Sequence, residues 1–303
     1  MEAFLSDLAR HSFLQYALVG GVLASVACGI VGTYVVVRRS TYVAGAIAHT
    51  VLGGMGAARY LERQHGLSWA TPMVGATVAA LLAAAVIGLV TLYARERQDT
   101  VLSAVWAVGM AVGISFITAT PGYYEDLMSY LFGNILMIGR ATPPYTWQNL
   151  LQDDLWLMGF LDIVIVVAVL LLYNKLLAVS FHEELARLRG LRAGVYHMLL
   201  LVLTALTVVL LTQVVGLVLV IALLTLPAAT AGQLVRRLWQ MMVLAVVLSC
   251  AFTVGGLALS YGPELPAGAT IVELAAGTYL AVLIVRRLAR AVRGWLSTER
   301  NST

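Results

Sequence analysis

One pattern constrains this chain before any other: apolar runs of about twenty residues recur from end to end, parted by only a few polar ones. A helix crossing the hydrocarbon core of a bilayer needs about 20 mostly apolar residues. Such runs occupy 14–37, 40–61, 70–94, 101–119, 157–178, 193–213, 216–235, 240–261 and 268–287. Of 303 residues 61% are hydrophobic and 11% charged, whereas soluble domains carry about a quarter charged residues. The implied fold is all-α: one polytopic membrane domain, 1–303, of about nine transmembrane helices. A shorter apolar stretch, 127–139, cannot span. It reads as a re-entrant or outer half-helix, which a bilayer tolerates where protein or a cavity shields the backbone. The first 13 residues hold two acids and no basic start to an apolar run, so no cleaved signal peptide is expected. Cys28 and Cys250 lie in apolar runs and read as packing residues.

Basic residues gather in cytoplasmic loops. With the N-terminus outside, fourteen of the nineteen Lys and Arg fall inside, among them Arg38, Arg39, Arg97, Lys175, Arg236 and Arg286, and Arg300 lies in the C-terminal tail. Only Arg10, Arg59, Arg63 and Arg140 fall outside, where Glu125, Asp126, Asp153, Asp154 and Glu264 also collect. The C-terminus is then cytoplasmic. The longest inner loop, FHEELARLRGLRAG at 181–194, alternates Glu183, Glu184, Arg187 and Arg189 with Leu185, Ala186 and Leu188. Gly190 is the expected helix stop. This segment is either a plain surface helix or a docking helix for a cytoplasmic partner.

The chain cannot energise transport by itself. A phosphate-binding loop of the form G-x-x-x-x-G-K-[ST] needs a lysine, and the one lysine, Lys175, has no glycine near it. No G-x-S-x-G or H-E-x-x-H motif occurs either. The chain is not expected to be an enzyme; an ATPase must come from another polypeptide.

Ionisable residues at membrane depth are costly and point to function by default. His49, in GAIAHTVLGGMG, sits nine residues into its span, roughly 13 Å deep at 1.5 Å per residue. It is either a neutral imidazole bonded to a carbonyl or a ligand on a transport path. Gly45, Gly53, Gly54 and Gly56 favour the second reading, because small residues let neighbouring helices close in and turn that face inward. Asp162 and Glu273 lie about five residues inside the outer ends of their spans. Asp162 is expected to snorkel to the interface, whereas Glu273 has no nearby partner. His197, one turn into its span, reads as structural. Imidazole with carboxylate suits zinc, manganese or ferrous iron. Glu125 and Asp126 form either a solvated loop or an acidic entrance that concentrates cations. Met55, Met110, Met128 and Met137 read as packing.

These blocks resemble the permease subunits of ABC transporters for zinc, manganese and iron, over nearly the whole chain. VVVRRSTYVAGAIAHTVLGGMG resembles the family's second span with its histidine. SYLFGNIL (129–136) resembles its outer half-helix, and LLLYNKLLAVSFHEELARLRGL its cytoplasmic coupling helix. LLTQVVGLVLVIALLTLPAATAGQL (210–234) and LPAGATIVELAAGTYL (265–280) resemble its later spans. The resemblance implies a multi-pass subunit of the prokaryotic cytoplasmic (inner) membrane working by alternating access. Its partners would be a second permease copy or paralogue, a cytoplasmic ATPase dimer docked on Glu183–Arg189, an extracytoplasmic metal-binding protein and the bilayer, with no nucleic acid. No cofactor is held permanently; the metal is cargo. Two departures stand out: many members carry aspartate where this chain has Gly45, and aspartate is common where it has His182.

The expected function is therefore import of a divalent transition metal, zinc first and manganese or iron next. The path would run past Glu125 and Asp126, then Glu273, to His49, with Asp162 a weaker candidate ligand. Two rivals are a permease for a chelated or organic substrate and a membrane scaffold or sensor that does not transport.

Overall fold

The computed structural model describes residues 12–94, 97–120, 154–261 and 265–300. Within them the chain is helical, with no strand. The nine runs become nine long helices: α1 (Ser12–Val37), α2 (Thr41–His65), α3 (Pro72–Leu89), α4 (Gln98–Ala119), α5 (Asp154–Phe181), α7 (Ala193–Val215), α8 (Leu217–Leu234), α9 (Leu238–Tyr261) and α10 (Ala267–Arg300). A six-residue α6 (Glu183–Leu188) lies between α5 and α7. Eight of the long helices are apolar and long enough to cross a membrane. The exception is α2, whose second half ends in Arg59, Glu62, Arg63 and His65.

Local chemistry explains the breaks. Pro72 opens α3 behind a Thr71 cap whose side chain accepts from the Val74 amide; proline suits the first turn because its missing N–H has no partner there anyway. A π-helical turn, Val90–Ala94, prolongs α3. Between α7 and α8 the only link is Gly216, at φ +82°. A left-handed residue at that point lets one helix end and the next begin with no loop. In contrast, Pro227 sits inside α8 and is buried, where neighbouring helices can absorb the freed backbone group. The last helix runs beyond the expected 287, because the arginine-rich continuation Arg286–Arg293 remains helical.

Packing divides the bundle into two groups. In one, α2 lies between α3 and α4; in the other, α1 is wrapped by α5, α8 and α9, and α10 rests on α8 and α9. α7 joins them by touching α1, α2 and α3. The core is aliphatic, with Ile47, Val51, Ile87, Leu211, Leu219 and Leu223 almost fully buried. Buried hydroxyls of Thr33, Thr204, Thr207 and Thr212 donate to the carbonyl four residues back. This spares a dry interior from unpaired polar groups. Between α1 and α9, Ser25 and Thr253 share a hydrogen bond of 3.1 Å. Both cysteines are free thiols.

Candidate functional site

The glycines of α2 do what their spacing suggests. A Cβ on Gly53 would lie 2.8 Å from the Gly109 carbonyl oxygen, and one on Gly56 would lie 2.8 Å from that of Gly113. Gly54 and Gly75 press backbone on backbone, so α2 touches α4 on one side and α3 on the other at main-chain distance. Thr50 sits at the α2–α4 seam, donating to Ala46 O at 2.8 Å and reaching Val105 O at 3.4 Å. An apolar cleft between α2, α3 and α4 begins beside Thr50 and is lined by Gly53, Val78, Leu82, Val105 and Gly109. It offers an ion no ligands.

His49 lies in this seam, 9% exposed. Its ring stacks on Trp106 of α4, with centroids 4.4 Å apart and planes inclined by 23°. Its Nδ1 is buried and has no hydrogen-bond partner, so the carbonyl-bonded imidazole is not what the structure contains. An unsatisfied nitrogen in a core is unusual, and an imidazole lone pair is a metal-ligating group. Trp106 was not legible as part of this site. The available signal was the Gly109–Gly113 pair after it, about one helical turn apart as Gly53 and Gly56 are.

The other candidate ligands lie elsewhere. Asp162 on α5 is 4% exposed, both carboxylate oxygens without a partner. It does not snorkel, because α5 packs that face against α1 and α7, close enough to Cys28 for the two to interact. Glu273 is exposed on α10, which rests on α8 and α9 rather than α2. A single chain therefore does not bring Glu273 to His49 as a substitute for the missing carboxylate. No cluster of three or more His, Cys, Asp or Glu forms among the described residues. Glu125, Asp126 and the 127–139 segment lie outside the described residues.

At the other end of α1 is a charged knot. Arg38 holds His197 at 2.8 Å through Nδ1, and reaches Glu183 of α6 at 3.7 Å. Glu183 also accepts from Arg187 at 2.7 Å. Burial pulls the Arg38 guanidinium below its ordinary value while Glu183 pulls it back up; it stays a cation. His197 is thus structural, as its position suggested, but Arg38 does more than mark orientation. It ties the loop helix to the turn that starts α2, where Arg39 takes φ +56° and the Ser40 amide donates to Val35 O. The helix within 181–194 is shorter than expected: α5 runs through to Phe181, and His182 precedes α6 with no side-chain cap. Gly190 ends it at φ +79°. Only Ala186 of α6 is buried, against Val179 and Ala193. Leu185 and Leu188 stand 48% and 85% exposed, beside exposed Glu184, Arg187 and Arg189.

Comparison with known proteins accounts for this arrangement. Residues 10–286 match the profile of the ABC 3 transport family. A probable metal transport system membrane protein of Chlamydia pneumoniae is 36% identical, over 93% of this chain and 94% of its own. The manganese transport system membrane protein MntC of Halalkalibacterium halodurans is 31% identical, over 92% and 89%. Among solved structures, PsaBC from Streptococcus pneumoniae in complex with Fab matches with a TM-score of 0.77 and 31% identity, covering 93% of this chain and 95% of that one. A family profile spanning almost the whole chain, relatives matched nearly end to end and a bundle of apolar membrane-length helices agree: this chain belongs to the ABC 3 transport family, as a multi-pass permease subunit of the bacterial inner membrane.

Proposed function

We propose that the permease imports a divalent transition metal ion, zinc first and manganese or iron(II) next, by alternating access driven by ATP hydrolysed on a separate subunit. The observation that carries this reading is His49: a buried imidazole with an unpartnered Nδ1 on a helix that meets two neighbours at main-chain distance. An imidazole suits zinc, iron and other borderline cations. Named relatives that transport manganese support metal as the cargo class and keep manganese as the second substrate. A single protein ligand fits a transporter, since binding at mid-path must be weak enough to release the ion inward. Glu125 and Asp126 form the entrance, and Asp162 is a reserve ligand on α5.

The docking face for the ATPase dimer is α6. Its exposed Leu185 and Leu188 amid Glu184, Arg187 and Arg189 form an amphipathic surface that none of the described residues covers. A second permease copy or paralogue covers α10. Glu273 there faces away from the chain's own core, and a carboxylate turned to lipid costs about 2.5–3.5 kcal/mol at depth. Glu273 becomes a pathway ligand only in that pair. An extracytoplasmic metal-binding protein delivers the ion. The knot of Arg38, His197 and Glu183 lies at the cytoplasmic end, with the N-terminus outside and the C-terminus inside.

The test is ATP-driven uptake by the reconstituted permease–ATPase complex with its binding protein, offering zinc, manganese and iron(II) in parallel. Uptake of one metal, lost in His49→Ala while the complex still assembles, is the expected result. Native-rate uptake by His49→Ala sinks the assignment of the site. Absence of any metal uptake, with a chelated or organic compound carried instead, sinks the choice of cargo.

A further inference from the structure

A small cavity lies at the foot of α1, lined by Tyr34, Arg38, Ser40, His197 and Thr204 among aliphatic side chains. It leaves about 20 Å³ to the centre of a water-sized sphere, so it holds one small particle. Its polar groups divide in two. The hydroxyls of Ser40 and Thr204 already donate to the carbonyls of Arg38 and Leu200. The Tyr34 hydroxyl, Arg38 Nη1 and His197 Nε2 are buried and have no hydrogen-bond partner among the described residues. Tyr34 is 1% exposed, His197 6% and the Arg38 side chain 15%.

All three orphaned groups can donate. A guanidinium has no acceptor atom, so Arg38 must be the donor in its 2.8 Å bond to His197 Nδ1. The proton of the neutral ring then sits on Nε2. The Arg38 amide donates to Tyr34 O, which carries the last turn of α1 onward and sets phenol and guanidinium on one face. The charge is unbalanced in the same sense. Glu183, the one carboxylate paired with Arg38 among the described residues, stands 3.7 Å away and is shared with Arg187. Burial outweighs Glu183 in its effect on the guanidinium, which falls below its ordinary value. A metal cation is repelled from such a place, and a water cannot accept from all three donors or bring a charge.

We propose that this cavity is a binding site for one monatomic anion, a halide such as chloride, held by Tyr34, Arg38 and His197 where the end of α1 meets α7. A halide accepts from all three donors and completes the pairing of a largely buried cation, which a buried charge requires. Polyatomic anions such as sulfate are too large for the space. The ion joins two helices that the Arg38–His197 bond alone connects at this end. It is separate from the metal path: His49 takes no part, and the site stands whatever the cargo is.

The experiment follows the thermal unfolding midpoint of the full-length permease in detergent as sodium chloride replaces sodium gluconate at fixed ionic strength. Native protein is compared with Tyr34→Phe and Arg38→Met. The native midpoint is expected to rise by about 2 °C at a chloride concentration ten times the dissociation constant. Tyr34→Phe removes one donor and keeps the ring, and is expected to weaken chloride at least about tenfold. Arg38→Met abolishes the shift. Sulfate, which acts on the surface only, moves all three proteins alike. In crystals soaked with bromide, one anomalous peak is expected within hydrogen-bond reach of the three donors.

A native midpoint indifferent to chloride leaves the cavity to water alone and overturns the proposal. Equal chloride shifts in native protein and Tyr34→Phe place the ion elsewhere and overturn it as well. If Arg38→Met does not fold, Tyr34→Phe decides by itself, since it changes no charge and deletes a single hydroxyl.

Discussion

Replacing Arg38 by methionine tests how the loop helix is anchored, and the structure sets the size of the effect. The guanidinium makes two unequal contacts. Its bond to His197 is 2.8 Å long and lies where both partners are largely shielded, the Arg38 side chain being 15% exposed and His197 6%. A hydrogen bond involving a charged group contributes about 1.5–3 kcal/mol, and its loss leaves a buried ring nitrogen without a donor. The contact with Glu183 is 3.7 Å, to a side chain 35% exposed that already accepts from Arg187 at 2.7 Å. Solvent screening limits such a pair to about 0–1 kcal/mol. Arg38→Met should therefore lower stability by about 2–3 kcal/mol, and Glu183→Gln by less than about 1 kcal/mol.

The assay is reversible unfolding of the detergent-solubilised protein for the single variants and the Arg38–His197 and Arg38–Glu183 double-mutant cycles, which isolate each pairwise energy. The first cycle should return the larger coupling. If Glu183→Gln costs as much as Arg38→Met, or the Arg38–Glu183 cycle exceeds the Arg38–His197 cycle, the reasoning is wrong. The anchor would then be electrostatic and carried by the loop. In the reconstituted complex the same substitution should uncouple the machine, with ATP still hydrolysed and less metal moved, because Arg38 links α6 to the turn that opens α2.

Three further outcomes follow from particular contacts. A Cβ at Gly54 collides with the Gly75 backbone whereas one at Gly277 meets nothing, so Gly54→Ala should cost about 1–3 kcal/mol of overpacking. Gly277→Ala should be neutral or slightly stabilising by the same unfolding assay. Asp162 buries both carboxylate oxygens unpaired, and an isolated polar group in an apolar core costs more than an apolar one of similar size. Asp162→Leu should therefore raise stability by about 1 kcal/mol or more, while a fall in metal uptake with unchanged assembly would make it a working ligand. His182 precedes α6 without capping it; His182→Asp should supply the cap, worth about 1 kcal/mol, and slow amide exchange at Glu184 and Leu185. An unchanged exchange rate would show that α6 is held by Ala186 packing alone.

Much of the architecture was legible because it follows from local rules. Nine apolar runs gave nine helices, most with ends shifted by a few residues, the last running on to Arg300 where the polar tail after 287 stays helical. Gly190 was readable as punctuation, since left-handed backbone at a helix end asks for glycine. His49 stood out because an imidazole at membrane depth is costly, and the glycines around it foretold main-chain contact. Asp162 was misjudged for a reason of the same kind. Depth along its own helix suggested an escape to the interface, but which face α5 turns toward α1 is not encoded in that depth.

What the sequence by itself determined was the solvent of the fold, the number of long helices, the absence of a nucleotide-binding loop and the residues costly enough to need a purpose. Periodicity, composition and burial cost are properties of one segment at a time. Only the tertiary structure decided that Trp106 shares a volume with Gly45 and a face with His49, that Arg38 bonds His197 of α7 far more closely than Glu183 of α6, and that Glu273 turns away from its own chain. Each of these is a meeting of residues remote in sequence. Such a meeting depends on how two helices rotate and close against one another, and that rotation is set by the sum of all their packed side chains rather than by any one stretch.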